Sequence, residues 1–279
     1  MTDSRHPIAT ATANRHCLQR LVGRHVVATL YNGDCLDVLP EIEAVDAIIT
    51  DPPYGTTACE WDEVIPFKPM WEHLERIARP SAAIVLFASQ PFTSKLVMSN
   101  LPLFKYEWCW EKSRATDFLN AKNKPMKAHE NVVVFSRGTT ANCSPNRMAF
   151  YPQMREGKYY RKIERQEKRQ GIVAAGNRTP FENGRVNENH ERYPVSVVRF
   201  QNPNNGSIHP TQKPVPLMAY LVETYTKAGD TVLDFTMGSG TTGVACAMLG
   251  RNFIGIERDA AHYKTACDRI AHELDGALL

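Results

Sequence analysis

The chain has 279 residues, of which 43% are apolar and 23% charged. Those proportions belong to an ordinary globular protein and exclude collagen-like, coiled-coil and wholly disordered chains. The formal net charge is only +3, but Lys105 to Ile208 holds 19 Lys and Arg against 10 Asp and Glu, a local +9, and the remainder carries −6. A basic middle within an acidic frame suits a polyanionic partner for that middle, with a solvated surface as the plainer alternative.

No apolar run approaches the roughly 20 residues of a membrane span. Residues 1–25 lack the apolar centre of a secretory signal and read as a tail. The expectation is a cytoplasmic protein without membrane contact. The seven cysteines are widely spaced and form no CxxC pair. That pattern argues against a disulfide framework or structural zinc and for inert thiols, so no metal is expected.

Residues 26–138 read as α/β. Val26–Tyr31 and Val45–Thr50 are apolar runs that predict strands, the second ending at Asp51-Pro52-Pro53-Tyr54. Phe67–Ala78 places Phe67, Met70, Trp71, Leu74, Ile77 and Ala78 on one helical face. Ala82–Ala88, Phe104–Trp110 and Asn131–Ser136 predict further strands, with one or both of Trp108 and Trp110 in the core. Residues 139–208 are rich in Asn, Arg, Gly and Pro and poor in apolar periodicity. They predict an inserted module or a long functional loop, not a continuation of the sheet. Residues 209–279 return to α/β: helix Val215–Tyr225, strand Thr231–Phe235, helix Thr241–Leu249 stopped by Gly250, strand Asn252–Ile256 and helix Ala260–Glu273. Continuous apolar strands alternating with helices favour a mostly parallel, twisted sheet covered on both faces.

Two motifs carry chemistry. Strand Thr231–Phe235 runs into Thr236-Met-Gly238-Ser-Gly240-Thr241-Thr-Gly243 and then a helix, and the next strand ends at Glu257. This is G-x-G-x-x-G in its nucleotide-binding context, with Glu257 placed to accept from ribose hydroxyls. Asp234 directly precedes the loop. A carboxylate is awkward beside a pyrophosphate and suits a ligand with an ammonium group, which favours S-adenosylmethionine over NAD. The second motif, Asp51-Pro52-Pro53-Tyr54, closes a strand. Two prolines stiffen the backbone and leave carbonyls as its acceptors. Asp51 and the Pro52 carbonyl can accept from an exocyclic amine on a ring stacked against Tyr54.

With these motifs the sequence resembles the amino-group DNA methyltransferases, which use S-adenosylmethionine to methylate adenine N6 or cytosine N4. Asp51–Tyr54 is similar to that family's catalytic motif, and Asp234-Phe235-Thr-Met-Gly238-Ser-Gly240 to its cofactor loop. His209-Pro-Thr211-Gln-Lys213-Pro214 resembles the segment preceding that loop, and Asn32-Gly-Asp34-Cys-Leu36 the adenine-contacting element. The order, catalytic motif first, resembles the family's β arrangement. The resemblance covers about 25–138 and 209–270.

The resemblance implies a Rossmann-like methyltransferase fold with circularly permuted motif order. Residues 26–138 form the catalytic half, 139–208 an inserted target-recognition region and 209–279 the cofactor half. It implies Asp34 at the cofactor's adenine amine and Thr211 or Lys213 at its carboxylate end. Phe235, Gly238, Gly240 and Thr241 complete the cofactor set. Asp, not Ser, at position 51 leans toward adenine, with N4 of cytosine, an RNA base or a non-catalytic DNA-binding protein as alternatives. Double-stranded DNA is the expected partner, and family members of this arrangement are often homodimers. Trp61 either closes the base pocket or packs in the core, and His129 and His209 read as structural. Tyr151, Tyr159, Tyr160 and Tyr193 mark the insert as the DNA-reading region. Lys112, Arg114, Lys122, Lys124 and Lys127 are candidates to follow a phosphate backbone.

Overall fold

A strand with apolar side chains on both faces must be covered on both faces, and Val45–Thr50 is such a strand, with all but Asp46 buried. In the computed structural model, which describes residues 17–23, 26–57, 62–163, 186–202 and 212–276, it lies in the middle of a nine-stranded sheet. In chain order the elements are β1 (Cys17–Val22), β2 (Val27–Asn32), α1 (Cys35–Val38), β3 (Val45–Thr50), α2 (Phe67–Ile77), β4 (Ala78–Ala88) and α3 (Phe92–Ser99). Then come β5 (Phe104–Thr116), β6 (Lys127–Phe135), β7 (Arg155–Ile163), β8 (Val186–Arg192) and β9 (Val197–Phe200). The chain closes with α4 (Val215–Tyr225), β10 (Thr231–Asp234), α5 (Thr241–Leu249), β11 (Asn252–Glu257) and α6 (Ala260–Gly276).

The sheet order is β1-β2-β11-β10-β3-β4-β6-β5-β9. Strands β2, β11, β10, β3 and β4 are mutually parallel, and β1 and β6 run against them. Side chains alternate between two cores. Ala83, Val85 and Phe87 of β4 join α4, α5 and α6 on one face, while Ala82, Ile84 and Leu86 join α1, α2 and α3 on the other. The permuted order has a spatial result: β10 and β11 slot between β2 and β3, so the two halves interleave.

Several elements depart from expectation, each for a physical reason. β1 lies within the anticipated tail, pairing antiparallel with β2; five of its six residues are exposed, so no apolar period marks it. β4 starts at Ala78, four residues early, through the exposed stretch Arg79–Ser81. β5 continues past Trp110 to Thr116, and α3 was unmarked by any strong amphipathic pattern. The insert is not wholly separate from the sheet. β7 and β8 form their own antiparallel pair, but β9 pairs parallel with β5 from Cys109↔Val197 to Lys112↔Phe200. Its other end also returns: Met148 is buried, and the amides of Ala149 and Tyr151 donate to the carbonyls of Ser81 (2.8 Å) and Thr224 (2.7 Å). Edge pairing of this kind engages backbone groups and leaves little side-chain signature. Of the six described cysteines, all free thiols, Cys35, Cys246 and Cys267 are buried and Cys17 and Cys143 exposed.

Helix α5 is apolar nearly all round because it is enclosed, with Thr241 to Ala247 buried. Gly243 lets it approach β11 and α6: a Cβ there would lie 2.4 Å from Ile270 and 2.7 Å from the Phe253 ring. Gly243→Val is therefore expected to destabilise by about 1–3 kcal/mol through overpacking, read as a lower thermal midpoint, whereas Gly276→Ala, with open space at its Cβ, leaves the midpoint unchanged.

Candidate active site

In an open α/β sheet, ligands bind beyond the carboxyl ends of the parallel strands. Here those ends are Asn32, Glu257, Asp234, Thr50 and Ala88, and beyond them lies a cavity of about 570 Å³. It brings together Asp34, Asp51, Pro52, Pro53, Tyr54, Lys213, Asp234, Phe235, Gly238, Thr241 and Glu257. Gly240 stands behind the wall, and Thr211, Trp61 and His209 lie outside the described residues.

The glycine loop is built for close approach on one side and packing on the other. Gly238 has φ +51° with open space at its Cβ position, so bare backbone faces the cavity. Gly240 has φ +77°, and a Cβ there would meet Ala266 at 2.8 Å. Glu257 accepts from the amides of Gly238 and Asp259, each at 2.8 Å, so one carboxylate ties the end of β11 to the loop. Burial pushes its carboxyl above the ordinary range. Arg269 of α6, which no motif marked, donates to the Ser239 carbonyl at 2.5 Å and to Thr241 Oγ1 at 3.3 Å. Asp34 accepts from the Leu36 amide at 2.8 Å, capping α1, and still lines the cavity.

Asp234 is buried, and burial pushes its carboxyl up to about 6 against the hydrogen bonds it receives. Thr242 Oγ1 and Thr50 Oγ1 both donate to it at 2.5 Å, and the Thr236 amide at 3.2 Å. Thr50 Oγ1 also meets Thr236 Oγ1 at 2.6 Å, and Thr236 Oγ1 donates to the Asp51 carbonyl at 3.2 Å. Hydroxyls thus join the ends of β10 and β3, the two motif-bearing strands.

Asp51 anchors the other half of the cavity. Tyr54 Oη donates to its Oδ1 at 2.5 Å, and the Lys213 ammonium donates to its Oδ2. Lys213 also lies 3.4 Å from Glu130, which is 2.5 Å from Lys112. Negative and positive groups therefore alternate from Asp51 through Lys213 and Glu130 to Lys112. Burial raises the Asp51 carboxyl above its ordinary value despite the opposing pull of Lys213. Burial acts to lower Lys213 and raise Glu130, but their partners win: the ammonium is held above its usual range and the Glu130 carboxyl below. Burial and then the neighbouring Asp51 charge push the Tyr54 phenol well up, so it keeps its proton and donates. Its ring stacks on Phe92 at 5.2 Å. Lys213 was expected at an anionic ligand end. Its place is between two carboxylates, beside the Phe87 ring at 5.0 Å.

The sequence also placed five cations along 112–127. Lys112 and Lys127 turn inward, the latter to Ser89 Oγ, leaving Arg114, Lys122 and Lys124 exposed. Trp108 and Trp110 are both buried, donating to Tyr225 Oη (2.7 Å) and the Phe200 carbonyl (3.1 Å). In the insert, Tyr159 and Tyr193 are exposed, Tyr159 with its ring 5.2 Å from His190, while Tyr151 is half-buried under Lys227. The Tyr160 side chain lies outside the described residues. His129 is exposed.

Asp62 was missed, because its role depends on backbone it faces and not on a sequence spacing. Its carboxylate accepts from the amides of Tyr54 (2.8 Å), Gly55 (2.9 Å), Thr56 (2.8 Å) and Thr57 (2.6 Å), folding the chain after Pro53 into a nest. Burial works to raise this carboxyl, but the hydrogen bonds from Thr57, Gly55 and Thr56 hold it below the usual range. It therefore stays charged across neutral pH, and its grip weakens only on strong acidification. Asp62→Ala is expected to speed amide hydrogen exchange at residues 54–57 by roughly tenfold or more while the β3 and β4 amides keep their protection.

Known proteins carry the same plan. Residues 45–268 match the family model described as DNA methylase, of the N6/N4 methyltransferases. The Type II methyltransferase M1.MboII of Moraxella bovis is 27% identical over 258 residues, 85% of this chain and 94% of that protein. The Type II methyltransferase M.HpaI of Haemophilus parainfluenzae is 26% identical over 92% of this chain and 76% of its own length. Among solved structures, the M1.HpyAVI–SAM complex aligns with a TM-score of 0.56 at 24% identity, covering 87% of this chain and 99% of that one. PvuII DNA methyltransferase, described as cytosine-N4-specific, aligns at 0.59 and 14% identity over 90% and 92% of the two chains. The last two likenesses concern the fold. The family match spans most of the chain and both motif-bearing strands, and the chain belongs to the N6/N4 DNA methylase family.

Proposed function

We propose that this methyltransferase moves a methyl group from S-adenosylmethionine to the exocyclic N6 of adenine in duplex DNA, with the target base swung out of the stack. The carrying observation is the Asp51 carboxylate at the end of β3, fixed from one side by Tyr54 Oη and from the other by Lys213. The residues around the cavity suit the cofactor. Among the described residues Gln212 Oε1, buried in the wall, has no hydrogen-bond partner, Gly238 presents bare backbone, and the Asp34 and Glu257 carboxylates have acceptor capacity beyond the bonds given above. A ligand with an adenine amine, ribose hydroxyls and an ammonium group supplies the matching donors. When bound, it offers an electrophilic sulfonium methyl.

An exocyclic amine is a weak nucleophile because its lone pair is drawn into the ring. Asp51 has spare acceptor capacity, and Pro52, lacking an N–H, adds only a carbonyl. Accepting from both amine hydrogens leaves the lone pair free to face the cofactor side of the cavity. Positioning and fixed charge then carry the reaction. The proton leaves after the nitrogen has become cationic and strongly acidic, so Asp51 can take it without being a strong base. Lys213 and Glu130 hold the carboxylate in register. An Asp rather than a Ser at position 51 supports adenine over cytosine. The insert, with Arg155 and Lys158 exposed on β7, is assigned to reading the duplex.

Three outcomes test this reading. Incubation with S-adenosylmethionine and unmethylated mixed-sequence duplex, followed by nucleoside mass spectrometry, is expected to yield N6-methyladenine; N4-methylcytosine would replace the base assignment and keep the mechanism. Asp51→Ala is expected to cut turnover by roughly 10²–10⁴-fold with cofactor binding by calorimetry retained. Protonation of Asp234 below about pH 6 removes the negative charge that favours an ammonium group, so cofactor affinity is expected to fall as pH drops from 7 toward 5. Asp234→Asn should be weaker at pH 7 and flatter across that range.

A further inference from the structure

We propose that Phe118 and Leu119, at the tip of the β5–β6 hairpin, form a wedge that enters the duplex beside the target base and fills the stacking space it leaves. This rests on the reading of the chain as a base-extruding DNA methyltransferase.

The first observation is exposure. Leu119 is 95% and Phe118 75% exposed, the two most exposed large apolar side chains among the described residues. Adjacent apolar side chains at a hairpin tip pack into no core, and such a paired exposure marks a contact surface.

The second is reach. β4 ends at Ala88, opposite Asn131, but β6 begins four residues earlier at Lys127. The hairpin thus overhangs the sheet by about 13 Å at some 3.3 Å per residue, before its tip is counted. β5 is parallel to β9 and antiparallel to β6, so its far end lies at the same edge as Asp51 and Asp234. Thr116 and Lys127, the last pair of the ladder, themselves line the cavity. The wedge therefore stands at the rim of the space the base must enter.

The third is preorganisation. Residues 118–120 form a single 3-10 turn, entered through Asp117 at φ +71°. Asp117 accepts from Asn120 Nδ2 at 2.6 Å and pairs with Lys124 at 2.5 Å, and the Asn123 amide donates to the Asn120 carbonyl at 2.8 Å. A tip tied this way presents its apolar pair without ordering it on arrival.

Charge selects the partner. Arg114 and Lys122 are exposed in the tip segment, and Lys124, though paired with Asp117, remains largely in solvent, in a stretch where the chain is net basic. Apolar residues ringed by cations match a base step flanked by phosphates, which is how apolar wedges unstack duplexes. Extruding a base opens such a gap, and filling it slows return of the base to the stack.

The test compares the parent with the Phe118→Ala/Leu119→Ala double variant on an oligonucleotide duplex carrying a site that the parent methylates. A matched duplex places the target base opposite an abasic position, where it is already loosely stacked. The double variant is expected to lose at least tenfold in kcat/KM on the paired duplex and to recover most of that loss on the abasic one. 2-Aminopurine at the target position is expected to brighten with the parent and not with the variant. Exposed side chains leave the thermal midpoint and cofactor affinity unchanged. Equal activity on the paired duplex, or an equal loss on both duplexes, overturns the wedge. A parent that methylates no DNA overturns the underlying reading, and the wedge with it.

Discussion

A carboxylate withdrawn from water must be given protein partners or it will take up a proton. This chain gathers several at one edge of its sheet, and each meets that demand differently. Asp62 takes four backbone amides, Asp234 two threonine hydroxyls and an amide, Glu257 two loop amides, and Asp51 and Glu130 share a lysine. The partners belong to the segments that must be shaped for chemistry. Satisfying these acids and shaping the cavity are thus one task.

The arrangement also divides the labour electrostatically. On the cofactor side the acids are tied by neutral donors, so their charge remains available to a cationic ligand. On the base side Asp51 and Glu130 are tied by the Lys213 and Lys112 ammonium groups, so these two acids are balanced where an uncharged base would lie. The line from Thr242 through the Asp234 carboxylate, Thr50 and Thr236 to the Asp51 backbone connects the sides through three threonine hydroxyls. It ties the end of β10 to the end of β3, the strands that carry the cofactor loop and the catalytic motif.

Much of this was legible in the residues. The five parallel strands announced themselves because burial on both faces demands unbroken apolar runs, and Asp51–Tyr54 and Gly238–Gly240 sit where strand ends place them. What stayed hidden has a common cause. β1 and β9 are edge strands held by backbone pairing; β1 is exposed at five of its six positions, and β9, with Val198 and Phe200 turned inward, is only four residues long, too short to show its alternation. Asp62 and Arg269 act on backbone groups of loops that only the fold brings near. Lys213 looked like an anion receptor because its motif precedes the cofactor loop, yet α4 delivers it to Asp51. Pairings across 162 residues, such as that one, are invisible to any local pattern.

The interleaving of β10 and β11 between β2 and β3 bears on synthesis of the chain. On a ribosome β2 emerges well before β10 and β11, and β3 follows it after only twelve residues, yet the two never become neighbours; a gap two strands wide must stay open until β10 and β11 arrive. Until then, the facing edges of both strands carry unpaired amides and carbonyls. Sheet closure is a late, long-range event, of the kind that makes folding slow and leaves open edges exposed to wrong pairing in the interval. Because closure and cavity formation are the same step, no partly made chain can hold a competent site.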